Sequence, residues 1–311
     1  MDAIKDQLDC CTLCPRRCGV NRNAGDRGFC GAGGRAEVFT CGAHHGEEPP
    51  VSGTRGSGTV FFSRCTLRCI YCQNYRFSQS GEGREYETSG LAGLLRSLQV
   101  TGCHNWNFVS PTPWLPFIHD AVEQLDRDGV SLPVVYNTSG FENTGTIAGL
   151  GGLVDIYLTD LRYADEKTAR AASGSGDYAR LARESLLEMW RQAGPLELDD
   201  DGIAVAGTIC RLLILPGHAG EAVDNLRWLA DNIGTDIAVS VMAQYTPTHR
   251  AAGDPWGRRI SIGEYEAVRD AVEELGFENG WVQEFEGETS KELMGFNMKP
   301  ISPGETGRQV R

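Results

Sequence analysis

The chain has 311 residues, 41% of them hydrophobic and 23% charged, the balance of a globular protein that buries a sizeable core. Acidic side chains outnumber basic ones by 42 to 29, and the net charge of −13 argues against a surface built to wrap nucleic acid. No apolar run approaches membrane-spanning length and the N-terminus MDAIKDQLDC lacks the apolar core of a signal peptide, so a cytoplasmic protein is expected. In that reducing compartment the 11 cysteines read as ligands rather than disulfides, and seven of them fall in two tight groups.

Residues 1–50 read as a cysteine-rich, metal-binding segment without sustained helical or strand periodicity. Cys11, Cys14, Cys18 and Cys30 form C-x2-C-x3-C-x11-C, a full set of four thiols with Gly19 and Gly28 at knuckle-like turns. A zinc ion held by four thiolates and a fully ligated [4Fe–4S] cluster both fit. Either would fold a segment that has no core of its own, because metal binding energy becomes folding energy. Cys10 and Cys41 are spare donors. The next stretch, HHGEEPPVSGTRGSG, is punctuated by Pro and Gly and reads as a linker, with His44, His45, Glu47 and Glu48 on a solvated loop.

From Gly58 the pattern changes. Short β-branched runs at 59–63, 105–110, 132–137, 154–160, 208–216, 237–244 and 277–284 alternate with amphipathic stretches near 89–99, 115–127, 143–150, 177–193, 219–232 and 262–275. Alternation of this kind predicts βαβ units and a parallel sheet with right-handed crossovers. The fold class expected is α/β, a full or partial (β/α)6-type TIM-like barrel over 51–285, followed by a polar 286–311 tail on the surface. Cys103 and Cys210 read as packing residues, and ELDDDG (197–202) as an exposed acidic turn. The Gly-rich stretches GSGTV and GAGG lack the helix a phosphate-binding loop needs.

The stretch CTLRCIYCQN follows the first strand and places Cys65, Cys69 and Cys72 at spacings x3 and x2. Arg64, Arg68, Gln73 and Asn74 make it too polar for a core strand. Three thiolates with no fourth nearby suit an iron–sulfur cube with one iron left open, the arrangement that separates catalytic from structural metal sites. A loop after a barrel strand opens on the rim where reacting groups gather.

In this stretch the chain resembles the radical S-adenosylmethionine (radical SAM) enzymes, whose C-x3-C-x2-C loop has an aromatic before its last cysteine, here Tyr71. From about Cys11 to Glu284 it is similar to pyruvate formate-lyase activating enzyme and relatives with a cysteine-rich N-terminus. The resemblance implies that Cys65, Cys69 and Cys72 hold a [4Fe–4S] cluster whose fourth iron takes S-adenosylmethionine, and that its reductive cleavage yields a 5′-deoxyadenosyl radical for hydrogen abstraction. It also implies cosubstrate contacts. Asn74 matches an asparagine of such enzymes, and Asn137 in YNTSG stands where they have Asp. Asp160 and Arg162 in TDLRY occupy a D-L-K motif, and Arg211 in RLLILPGH matches an arginine strand. His249, after Gln244 and Tyr245 in QYTPTHR, lies where related enzymes place a histidine. Their G-G-E stretch is replaced by Ser110-Pro111-Thr112-Pro113, where the hydroxyls of Ser110 and Thr112 and the backbone carbonyls are expected to substitute. The implied partners are a reductant such as flavodoxin or ferredoxin and a glycyl-radical enzyme or other protein substrate. The competing class is an iron–sulfur electron-transfer or metal-binding protein without SAM chemistry. The βα repeats and the open iron speak against it.

Overall fold

The structure is a computed structural model that describes residues 6–285 and 298–301. Its frame is one curved sheet. The strands are β1 (Ala36–His44), β2 (Ser57–Phe62), β3 (Arg84–Tyr86), β4 (Trp106–Val109), β5 (Val134–Thr138), β6 (Ile156–Asp160), β7 (Glu197–Leu198), β8 (Ala204–Leu213), β9 (Ala238–Met242) and β10 (Gly280–Val282). The sheet runs β10-β9-β8-β6-β5-β4-β2-β1-β3, with β7 pairing to β8 outside that order. All six ladders from β2 to β10 are parallel. Residues of β2 are buried along its whole length, as parallel strands covered on both faces require.

Helices α1 (Thr88–Val100), α2 (Leu115–Arg127), α3 (Thr144–Ala148), α4 (Glu166–Ser173), α5 (Tyr178–Ala193), α6 (Ala219–Asn232) and α7 (Ile262–Glu274) carry the crossovers. Their sequences explain them. In α2, Leu115, Ile118, Ala121, Val122 and Leu125 recur every three or four residues and are buried, together with Pro116, Phe117 and His119. α7 starts at a capping box of Ser261 and Glu264. No ladder joins β10 to β3 among the described residues, so the barrel is a partial one, as one of the two expected forms. Helix α4 was not foreseen: its apolar face is only Ala169 and Ala172, too weak a stripe to read.

Two expectations change. Residues 36–44, expected to lack strand periodicity, form a nine-residue strand buried at every position and antiparallel to β2. The expected linker after it is a plug. Pro49, at the first helical position where its missing N–H costs nothing, opens a short helical turn, Pro49–Ser52. Val51 of that turn is fully buried in a cluster with Val135, Leu158, Ile209 and Ala238, inside the barrel. Asn105, just before β4, donates Nδ2 to the Val51 carbonyl (2.7 Å) while its Oδ1 accepts from Ser57 Oγ (2.7 Å). The lower mouth of the barrel is thereby closed by chain that belongs to the strand layer, and the sheet begins before residue 51. Of the expected tail, Met298 packs with Phe39, Phe61 and Phe77, and the Ile301 N–H donates to the Phe39 carbonyl (3.0 Å). Its other residues, 286–297 and 302–311, lie outside the described ones.

Candidate active site

The C-terminal strand ends and the plug enclose one cavity of about 370 Å³. Cys65, Cys69 and Cys72 line its mouth, Asn137, Asp160, Arg211 and Ser240 its wall, and Glu47 and Glu48 its floor. Asp160, Arg211 and Ser240 are register partners on β6, β8 and β9, so the pleat turns all three to the same side.

The cysteine loop is braced from several sides. Arg68 and Ile70 N–H groups donate to the carbonyls of Ser173 (3.1 Å) and Ala172 (2.8 Å) at the end of α4, and Arg250 N–H donates to Ile70 O (2.8 Å). Gln79 Nε2 holds the Cys69 carbonyl (2.9 Å). Tyr71 stacks on Trp256 with centroids 5.7 Å apart, and its hydroxyl meets that of Tyr163 at 2.5 Å. Burial pushes the Cys69 thiol up to about 12 and the Cys72 thiol up as well, so both are protonated at neutral pH until a cation draws the proton off. Arg162 Nη1 lies 3.4 Å from Cys69 Sγ and favours the thiolate.

Asp160 and Arg162 pair directly, through Nε at 2.9 Å and through Nη2. The Arg162 N–H donates to the Tyr178 hydroxyl (3.1 Å), which donates to Ser139 O (2.7 Å). Gly140, at φ +79°, lets this turn lie against the Asp160 carbonyl, which a β-carbon would meet at 2.3 Å. Asn74 precedes the helical turn after the cysteines, its side chain making no cap hydrogen bond there, and lines the cavity with Ser110 and Asn137. Ser110 holds φ +57°, unusual for a residue with a β-carbon, and its N–H donates to Asn137 O (3.0 Å).

Three expected contacts are placed differently. Arg211 lines the cavity, but its guanidinium also clamps Glu48 through Nε (2.7 Å) and Nη2 (2.6 Å), and Glu47 through Nη2, with Nη1 toward Asn137 Oδ1 (3.5 Å). Burial opposes the Arg211 charge, but Glu48 and Glu47 more than offset it and hold it above the usual arginine range. Thr112 turns away from the cavity and donates Oγ1 to Glu142 Oε1 (2.7 Å), because the prolines around it start a 3-10 turn. His249 is outside the cavity, stacked on Tyr75 at 4.6 Å and accepting from Arg250 Nε (3.1 Å), while Gln244, Tyr245 and Thr246 line it. Of the residues expected on a solvated loop, His44 and Glu48 are buried, and Glu47 is half-buried with its side chain turned in. The signal that could have found them is Glu-Pro-Pro, an acid before prolines at a helix start.

The N-terminal cysteines lie against the cysteine loop. Arg16 Nε donates to Thr66 O (3.3 Å), both its Nη groups donate to Gly174 O (3.2 Å), and Arg68 Nη2 donates to Phe29 O (2.8 Å). Burial lowers the Arg16 pKa below the ordinary arginine value, opposed in part by the neighbouring Cys14, Cys18 and Cys65. Burial foremost, then Cys30, Glu142 and Cys11, push the Cys14 thiol up to about 12. Among the described residues, only His119, Asp120 and Glu123 of α2 bring three ligand atoms from His, Cys, Asp or Glu within 4.8 Å of one another.

Glu142, next to Cys14, is fully buried, and burial raises its carboxyl to about 7 although Thr138 and Thr112 donate to it. Its folded pKa lies above the ordinary value of 4.5, so its contribution is complete below about 4.5 and is lost as pH rises through 7. Metal-free protein should lose up to about 3 kcal/mol over that window. Glu142→Gln should flatten that slope in urea unfolding followed at several pH values.

No protein-family model matches the chain. It is 27% identical over 289 residues to the uncharacterized protein MJ0674 of Methanocaldococcus jannaschii, covering 89% of this chain and 78% of that one. Solved structures with a similar fold include HydG, a maturase of the [FeFe]-hydrogenase (TM-score 0.46, 11% identity, 68% of this chain and 48% of that one). Native anSMEcpe with bound AdoMet matches with TM-score 0.46 and 11% identity over 68% of this chain and 58% of that one. Streptococcus suis SuiB bound to precursor peptide SuiA matches with TM-score 0.44 and 12% identity over 68% of this chain and 44% of that one. The chain spans about half the length of these three structures. No helix among the described residues is long and apolar enough to cross a membrane.

Proposed function

We propose that the chain is a radical SAM enzyme, with a [4Fe–4S] cluster on Cys65, Cys69 and Cys72 and S-adenosylmethionine in the cavity beneath it. The observation that carries this reading is the position of the three thiols at the mouth of a cavity walled by polar strand ends. The bound cluster and cosubstrate would supply a 5′-deoxyadenosyl radical for hydrogen abstraction. The protein's part is to orient and to exclude water. The braces from α4, Gln79 and Arg250 hold the loop still, Arg162 favours the Cys69 thiolate, and the plug keeps bulk water from the floor. Asn74, Ser110, Asn137 and Asp160 are the cavity residues that would meet the cosubstrate.

Cys11, Cys14, Cys18 and Cys30 form a second centre in this reading. We take it as an iron–sulfur cluster because its place beside the loop suits electron entry from flavodoxin or ferredoxin. The activity that the sequence resemblance implies, radical formation on a glycyl-radical enzyme, is the finer form of the proposal. It would show as a glycine-centred paramagnetic signal on the partner.

Oxygen-free reconstitution with iron and sulfide tests the reading. Two cubes predict about eight irons per chain and no zinc; about four irons with one zinc would overturn the second centre alone. Dithionite and S-adenosylmethionine should then yield 5′-deoxyadenosine and methionine. A reducible cluster that leaves S-adenosylmethionine intact would make the chain an electron carrier instead.

A further inference from the structure

Below the cysteines, the cavity ends on three side chains of the plug and its approach. His44, the last residue of β1, sits edge-on to Phe61 with centroids 5.4 Å apart. It is only 6% exposed and lines the cavity, yet its Nδ1 has no hydrogen-bond partner. Glu47 Oε1 accepts from Asn107 Nδ2 (3.0 Å) and its other oxygen from Arg211. Both oxygens of Glu48 are taken by Arg211, and Ser240 also bonds to this carboxylate.

The charges do not close. Asp160 and Arg162 cancel each other at the wall. On the floor, two carboxylates face one guanidinium, so one negative charge is left over in a space shielded from water. Burial lowers the pKa of His44, which keeps the ring neutral and unable to compensate. Arg211 keeps Glu48 ionised against its burial. A buried surplus charge is costly unless a partner of opposite sign arrives. Each carboxylate has about four acceptor sites, and Glu47 uses two of them.

We infer that this floor is the substrate subsite and that it binds a protonated primary amine, with its N–H groups shared between Glu47 and His44 Nδ1. The inference rests on the radical SAM reading for calling the occupant a substrate, and on the floor geometry alone for its charge. Such an ammonium could belong to a small free amine or to a lysine of a peptide.

The test is titration calorimetry on oxygen-free reconstituted protein, with putrescine, acetyl-lysine amide inside a short neutral peptide, butanediol and succinate as probes. The amines should bind and the diol and succinate should not. Binding of putrescine alone assigns a small amine; binding of the peptide alone assigns a lysine side chain. Glu47→Gln should weaken the amine roughly thirtyfold or more, the effect of truncating one side of a buried charge pair. His44→Phe keeps the carboxylates and should weaken it by about tenfold, so it decides the matter if the first variant fails to fold. Nitrogen NMR of the His44 ring should move with the amine. Preference for succinate, or amine binding indifferent to the substitution in a folded variant, overturns the subsite. Formation of 5′-deoxyadenosine without any amine is followed in parallel; its absence would count against the radical SAM reading and leave the binding result standing.

Discussion

Replacing Cys69 by alanine should abolish the iron of the loop and bring 5′-deoxyadenosine formation below detection, while the protein stays folded. With one cysteine gone, only two thiols remain for a cube that needs three from the protein to leave one iron open. Cys69 is the most instructive of the three because it is buried and adjoins Arg162. Its thiol, pushed up to about 12, must give up its proton to bind iron. Loading should therefore release protons and weaken as the pH is lowered. Cys103→Ala is the control, since Cys103 packs with Leu98 and Trp106 in a core away from the cavity. Iron content and cubane absorption, measured on both variants at two pH values, check the claim. A fully loaded Cys69→Ala protein would refute it.

Arg211→Met should be the most destabilising single change at the site. It leaves Glu47 and Glu48 side by side, both buried, with no cation between them. Breaking a buried pair from one side costs about 3–5 kcal/mol. Glu48 is now held below the usual carboxylate range against its burial. Without Arg211 its pKa would rise above the unfolded value, so the variant should regain stability as pH falls through that window and lose it as pH rises. Adding Glu47→Gln and Glu48→Gln should recover most of the loss, because the site then holds no unpaired charge. Arg211→Lys should rescue only in part, since one ammonium cannot reproduce the fork that spans two carboxylates. Urea unfolding across pH distinguishes these variants. Equal stability of Arg211→Met and the parent would remove the argument for a charged floor.

The two results concern groups that differ in how far they act along the chain. Cys65, Cys69 and Cys72 lie within eight residues, so their chemistry is written in one short segment. Arg211 and Glu48 are 163 residues apart and meet only because β8 and the plug share the barrel interior. Local pattern had no means to pair them. It read Glu-Glu-Pro-Pro as solvated for the ordinary reason that acids beside prolines usually are. The same limit explains Thr112 and His249. Each lies near the expected rim in sequence, but a proline-started turn rotates one toward Glu142 and a left-handed backbone at φ +56° sends the other outward.

By itself, the sequence determined the alternation of strand and helix, the opening of the cysteine loop after the first parallel strand, and the existence of a second thiol set. These depend on periodicity and spacing, which neighbouring residues carry. Only the tertiary structure decided that residues 36–52 complete the sheet and stopper the barrel, and that the arginine expected at the cosubstrate also clamps two acids. It also decided that a buried histidine of the cavity lining holds an unmatched nitrogen. The physical reason is that burial and charge balance are properties of a closed surface, and that surface exists only once distant segments have come together.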